Sequence, residues 1–172
     1  CGQSGSKDDG QKKFKVAINC WGQANFFARV GKEALEDELT KLGCEVVPTV
    51  TDNIADRMKA IENATAMGVD AIIVQEGDLT EAETAVLEAK QKGIIIGSMD
   101  SGTADYVDFY VASDNPLLGK TTAEALVEKM GTKGRIIEII NDAGSMIRMR
   151  KDAAHKVFDQ YPDIEIAYSL VY

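Results

Sequence analysis

The sequence predicts an α/β fold, doubly wound around a parallel sheet, and three observations carry that prediction. Short β-branched runs alternate with helical patterns at a spacing of about 25 to 30 residues, the signature of successive βα units. Several runs, among them Ala71-Ile72-Ile73-Val74 and Ile94-Ile95-Ile96, are apolar on both faces, so their strands need helices on each side. Glycine and proline punctuate the joins, with Gly43 and Gly131 closing helical stretches and Pro116 opening one.

Taken in order, the expected strands are Phe14 to Asn19, Glu45 to Val50, Ala71 to Gln75, Ile94 to Met99, Phe109 to Ala112, Arg135 to Ile140 and Ile164 to Val171. Between the first two, Phe27, Val30, Ala34, Leu35, Leu39 and Leu42 mark the apolar face of a first helix. Ile54, Met58, Ile61 and Thr65 mark the second. Thr80 and Glu83 have the spacing of a capping box that would open the third. A fourth is expected from Pro116 to Met130, and a fifth from Ser145 to Gln160 before Tyr161-Pro162-Asp163 turns the chain. No internal repeat is visible.

The 172 residues are 45% hydrophobic and 27% charged, an ordinary balance for a globular chain with a real core. A net charge of -9, with basic residues scattered among acidic ones, gives no footprint for a phosphate backbone, so no nucleic-acid partner is expected. No apolar run approaches the roughly 20 residues that span a bilayer. No Gly-x-Gly-x-x-Gly or Walker loop is present, so no nucleotide cofactor is expected, and no metal set is evident. The single histidine, His155, falls in mid-helix beside Lys156 and reads as a solvated surface residue, and no Gly-x-Ser-x-Gly elbow exists, which argues against an enzyme.

Three cysteines suggest separate roles. Cys20 and Cys44 should lie at opposite ends of neighbouring strands, too far apart to bridge, each as a small buried hydrophobe. Cys1 is followed by the polar run Gly2-Gln3-Ser4-Gly5-Ser6-Lys7-Asp8-Asp9-Gly10-Gln11-Lys12-Lys13. A flexible tether over residues 1–12, with Cys1 as lipid attachment point, would hold the protein to a membrane outside the cytoplasm.

In a doubly wound sheet, ligands gather at the carboxyl ends of the strands. The segments there are aromatic, amide and carboxylate rich: Trp21 to Phe27, Gln75 to Asp78, Asp100 to Gly102 and Asn141 to Arg148. The Asn25-Phe26-Phe27 helix start, Gly68 to Gln75, Gly93 to Asp100, Val111 to Asn115 with Gly119, and Gly144-Ser145 with Arg148 follow one another in an order that resembles the periplasmic solute-binding proteins of the ribose-binding type. Those proteins share their fold with the effector domains of the lactose-repressor family. The resemblance runs from Lys13 to the last residue. A regulator would carry a helix-turn-helix segment ahead of the first strand, where this chain has the tether.

The resemblance implies a two-lobed clamp that closes on a small polar ligand, a sugar first of all, and hands it to the permease of an ABC-type importer. It implies stacking of Trp21, Phe26 or Phe27 on the ligand beside Asn25, an amide contact from Gln75, hydroxyl binding by Asp100, and a contribution from Arg148 in the second lobe. One of Phe26 and Phe27 is expected in the core. Asp78 is expected to cap the third helix region rather than bind, and Asp114-Asn115 to form a turn before Pro116. Ser101 stands where many such sugar binders carry a basic residue, which leaves pentose specificity open, and the extra Trp21-Gly22 loop and Glu76 would suit a different sugar, a polyol, a nucleoside or a cationic solute. Presentation of bound ligand to a membrane receptor is the alternative role. The lobes should span residues 13–113 and 114–172, the second one incomplete, with apolar faces left exposed and a homo-oligomer as the expected result.

Overall fold

In the computed structural model, which describes residues 13–22, 24–141 and 144–171, strand β1 (Lys15–Trp21) lies between β2 (Glu45–Thr51) and β3 (Ala71–Gln75), and β4 (Ile95–Met99) and β5 (Phe109–Val111) extend the sheet beyond β3. All the pairings are parallel, as the two-sided apolar runs require. Cys1 and the rest of the expected tether lie outside the described residues, as do Gln23, Asp142 and Ala143.

Helices cover both faces. On one side α2 (Ile54–Ala66) and α3 (Glu83–Gln91) bury Ile61, Ala64, Ala85, Val86 and Ala89 against Ala17, Ile72, Val74 and Ile96. On the other, α1 (Phe26–Lys41) brings Leu35 and Leu39 onto Val16, Ile18, Cys20 and Ile73. Ile18, Ile72 and Ile96 are fully buried, and each such side chain contributes about 1.5–3 kcal/mol relative to exposure. The α1 contact face differs from the expected stripe: Ala28 and Gly31 are its buried residues, whereas Val30 and Leu42 are exposed. A Cβ on Gly31 would overlap the Gln75 amide, so the small residues set how closely α1 approaches the sheet.

The expected capping box does not form. Asp78 caps a 3-10 turn at Leu79–Ala82, its Oδ1 accepting from Thr80 N at 3.0 Å and Thr80 Oγ1 at 2.6 Å. With its hydroxyl committed as donor to Asp78, Thr80 does not cap α3, whose start has no side-chain cap.

The chain then leaves the first sheet. Asp114 caps α4 (Asn115–Met130), accepting from Leu117 N, and Pro116 occupies its first turn. Strands β6 (Lys133–Ile140) and β7 (Asp163–Val171) pair in parallel, joined by α5 (Ser145–Phe158), which ends two residues earlier than expected. Ala123 and Val127 of α4 pack on Val157 of α5, with Phe158, Tyr161 and Ile164 around them. Ile137 and Ile139 of β6 and their register partners Tyr168 and Leu170 of β7 are exposed, in keeping with the expected open apolar face.

Neither cysteine of the sheet is bridged. Burial pushes the Cys20 thiol up to about 11, which keeps it protonated and unreactive. Cys44 is only half-buried. His155 is not the free surface residue expected: its Nε2 lies 2.7 Å from Oε2 of Glu138 on β6. Burial works to raise the Glu138 pKa, but the bonds from Ser169 and His155 outweigh it and leave the carboxyl below its usual range.

Candidate functional site

The order β2-β1-β3-β4-β5 places a topological switch point between β1 and β3, where the crossovers leave on opposite faces and a crevice opens beyond the strand carboxyl ends. A cleft of about 470 Å³ lies there. Trp21 from the end of β1, Asn25 and Phe27 from the start of α1, Glu76 and Gly77 after β3, and Asp100 after β4 form one wall. Asn141, Met146, Ile147 and Arg150, from the end of β6 and from α5, line the cleft as well, with Ser113 just after β5.

Two carboxylates face this space from strained backbone. Glu76 and Asp100 adopt φ of 54° and 51°, the left-handed region that non-glycine residues rarely occupy. Each sits immediately after a strand, where its N–H still joins the sheet: Glu76 N donates to Met99 O at 3.0 Å, and Asp100 N donates to Val111 O at 2.8 Å. The left-handed turn therefore redirects the side chain at the point where the ladder ends, and such strain concentrates at functional sites.

Asn25 serves two neighbours. Its Oδ1 accepts from Ala28 N at 3.1 Å as the cap of α1, and its Nδ2 lies 3.2 Å from both Glu76 carboxylate oxygens. Glu76 is nine-tenths buried. Burial raises its pKa, the Asn25 bond opposes this, and the nearby Asp100 charge adds to the rise. Asp100 Oδ1 is buried with no hydrogen-bond partner among the described residues, an acceptor held at the cleft wall without a donor.

The pKa of Glu76 has a measurable consequence. A carboxyl whose pKa is higher in the fold than in the unfolded chain destabilises the fold when ionised. The cost is absent below the ordinary value of 4.5 and grows as pH rises through the raised folded value. Glu76→Gln, which still accepts from Asn25, is expected to raise the thermal midpoint at pH 7. The gain should vanish below that ordinary value, as unfolding followed by circular dichroism would show.

The second side of the cleft is tied to the first by Asp78 and Met146. Asp78 Oδ2 accepts from Ser145 N, the first residue of α5, at 3.1 Å. Burial works to raise the Asp78 pKa, yet the bonds from Thr80 and Ser145 hold it below the usual range. Tyr110 donates to Met146 Sδ at 2.9 Å, and the buried Asn115 approaches the same sulfur at 3.5 Å while its Oδ1 accepts from Arg150 Nε.

Trp21, Asn25, Phe27 and Asp100 thus meet at one cleft, and three other expected residues do not line it. Gln75 is fully buried beneath α1, where its Nε2 donates to Ala28 O at 3.0 Å. Strand alternation puts it on the face of Ile73, away from the opening. Phe26 is 72% exposed and packs beside Arg29, 5.7 Å from its ring; with Phe27 also exposed, neither phenylalanine enters the core, because Ala28 and Gly31 fill that role. Arg148 is exposed, and the arginine at the cleft is Arg150, one helical turn after Met146. Glu76, expected only as a residue that bears on ligand identity, lines the cleft directly, and Arg150 is a lining residue the sequence did not single out. The i, i+4 spacing of the inward Met146 with Arg150 was the available signal.

Among the described residues, no cluster of three or more His, Cys, Asp or Glu could hold a metal ion, and no helix is long and apolar enough to cross a membrane.

Two parallel sheets with their helices, and a polar and aromatic cleft beyond the strand carboxyl ends, make this a two-part α/β chain with a concave site of the kind that holds small molecules. Residues 16–172 match the family described as a periplasmic binding protein domain, and the chain belongs to that family. It is 27% identical over 158 residues to the ribose import binding protein of Bacillus subtilis, a match covering 90% of this chain and 52% of that one. The D-xylose-binding periplasmic protein of Escherichia coli is 35% identical over 89 residues, covering 51% of this chain and 27% of that protein. Among solved structures, an ABC transporter solute-binding protein of Actinobacillus succinogenes with bound D-allose superposes with a TM-score of 0.79 at 28% identity, over 92% of this chain and 59% of that one. The chain spans about half the length of the curated relatives it matches.

Proposed function

We propose that this chain forms the cleft of an extracytoplasmic solute-binding protein that captures a sugar or polyol and presents it to an ABC-type importer. The observation that supports this reading most directly is the meeting of an indole, Trp21, with two carboxylates, Glu76 and Asp100, at the switch point of the first sheet. Axial C–H faces of a sugar suit a flat aromatic surface, and its hydroxyls donate well to carboxylates. Asp100, a residue of the cleft lining, supplies such a carboxylate. Arg150, held by Asn115, supplies donors from across the cleft. Binding of this kind needs no chemistry, so the protein acts as a receptor and not as an enzyme. Relatives with this fold are named for ribose, D-xylose and xylitol, which defines the ligand class to try first.

A thermal-shift screen of the full chain against D-ribose, D-xylose, D-allose, allitol and xylitol tests the reading. A ligand at 100 times its Kd stabilises the fold by about 2.7 kcal/mol, a readily detected shift. A flat response to every sugar and polyol, with a shift for nucleosides or cationic solutes, would replace the ligand class. We further propose Cys1 as a lipid anchor, supported by the polar run between it and β1; the mass of protein extracted from membranes reads that modification directly.

A further inference from the structure

Arg57 is a fully buried charged side chain on α2, and no part of it lines the cleft. Its position follows from helix periodicity: it lies three residues after Ile54 and four before Ile61, on the face that packs against the sheet. From there it reaches the ends of two strands. Nε donates to Asn19 Oδ1 at 2.9 Å, one terminal nitrogen donates to Glu76 O at 2.8 Å, and the other donates to Gln75 O at 3.2 Å. The guanidinium carbon stands 4.6 Å from the centre of the Trp21 ring.

We propose that Arg57 is a positioning residue of the ligand cleft, setting the orientation of both Trp21 and Glu76 from behind. The proposal rests on the reading of this cleft as the ligand site. A planar guanidinium can direct donors to two carbonyls while its face stacks on an indole, which a lysine ammonium cannot do. The two carbonyls it holds belong to the bend at which Glu76 takes its left-handed backbone and turns its carboxylate to the cleft. Ser101 adds a second donor to Glu76 O at 2.7 Å, so the bend is fixed from two sides. Gly77 leaves the necessary room: a Cβ there would lie 2.6 Å from an Arg57 terminal nitrogen and 3.1 Å from the indole. Backed by Arg57, the indole offers its remaining surface to the cleft. Burial lowers the Arg57 pKa to about 10, which leaves it charged at neutral pH. Asn19 completes the brace, its Nδ2 within 3.2 Å of Thr49 Oγ1 and 3.3 Å of Thr51 Oγ1 on β2.

The test uses the only tryptophan in the chain, Trp21, as a reporter in the full-length protein with no sugar added. Acrylamide quenching is compared between wild type, Arg57→Lys and Arg57→Met, with far-UV circular dichroism confirming the fold. Both variants should raise the quenching constant about twofold, because loss of the stacked guanidinium frees the indole. Lysine should fail to restore the wild-type value although it keeps the charge. A folded Arg57→Met protein whose indole is as shielded as in wild type would overturn the proposal. Should the variants not fold, nuclear magnetic resonance of the wild-type protein decides: the Arg57 Nε–H should exchange slowly and carry a ring-current shift that disappears in Trp21→Leu. A resonance unaffected by that substitution would equally overturn it. Neither readout depends on whether D-ribose, D-xylose or D-allose binds, so a failed sugar screen and a failed positioning role remain distinct results.

Discussion

Gly119→Ala is expected to destabilise the protein by about 3 kcal/mol, the upper part of the range for overpacking a close contact. Alanine is ordinarily the better helix residue by about 1 kcal/mol, so an exposed site would gain from the change. Gly119 is instead buried in α4 where it crosses α5, and a Cβ there would overlap the carbonyl oxygen of Arg150. That atom is backbone, so no rotamer change relieves the clash, and the two helices must separate. The cavity opened beside Ala123 and Val127 would weaken the second core, and Arg150 would leave its place at the cleft. Chemical denaturation should show the lower midpoint with an unchanged slope. A neutral or stabilising effect would mean that α4 and α5 are not packed at this distance.

Substitution of Asp100 carries the largest expected effect on binding. A hydrogen bond to a charged group contributes about 1.5–3 kcal/mol, so Asp100→Ala should weaken sugar affinity by about 10- to 150-fold. The backbone makes a more discriminating variant available. At φ 51°, Asp100 is strained, and glycine adopts that conformation freely. Asp100→Gly should therefore stabilise the free protein by up to about 1 kcal/mol while losing the sugar. Opposite signs for stability and affinity at one residue would separate a ligand-binding role from a structural one. A loss of both together would assign Asp100 to the fold instead.

Much of this architecture was legible in the sequence because its signals are local. A β-branched run such as Ala71-Ile72-Ile73-Val74 has few alternatives to a buried strand, and the strands fall within two residues of their expected ends. Pro116 and Gly131 likewise mark the ends of α4, whereas Asp114 and Asn115, expected as a turn before it, are its cap and its first residue. The site was legible to the level of its segments and less so in its side chains. Gln75 and Glu76 are adjacent, yet one turns under α1 and the other to the cleft, because the strand ends between them and the backbone becomes left-handed. That change of hand leaves no mark in the residue types. Arg57 was hidden differently: charge suggests solvent, but its spacing from Ile54 and Ile61 placed it on the packed face. Phe26 and Phe27 misled in the opposite sense, since two aromatics suggest a core while the close approach of α1 is built from Ala28 and Gly31.

The most direct measurement of the central claim, that the cleft between Trp21, Glu76 and Asp100 holds the sugar, is titration of Trp21 fluorescence with D-ribose, D-xylose and D-allose in wild type and in Asp100→Gly. The account predicts a saturable change in intensity or emission wavelength for at least one of these sugars in the wild-type protein, and its loss in the variant. Saturable binding by calorimetry that leaves Trp21 emission unchanged, and that persists in Asp100→Gly, would place the sugar elsewhere and contradict it.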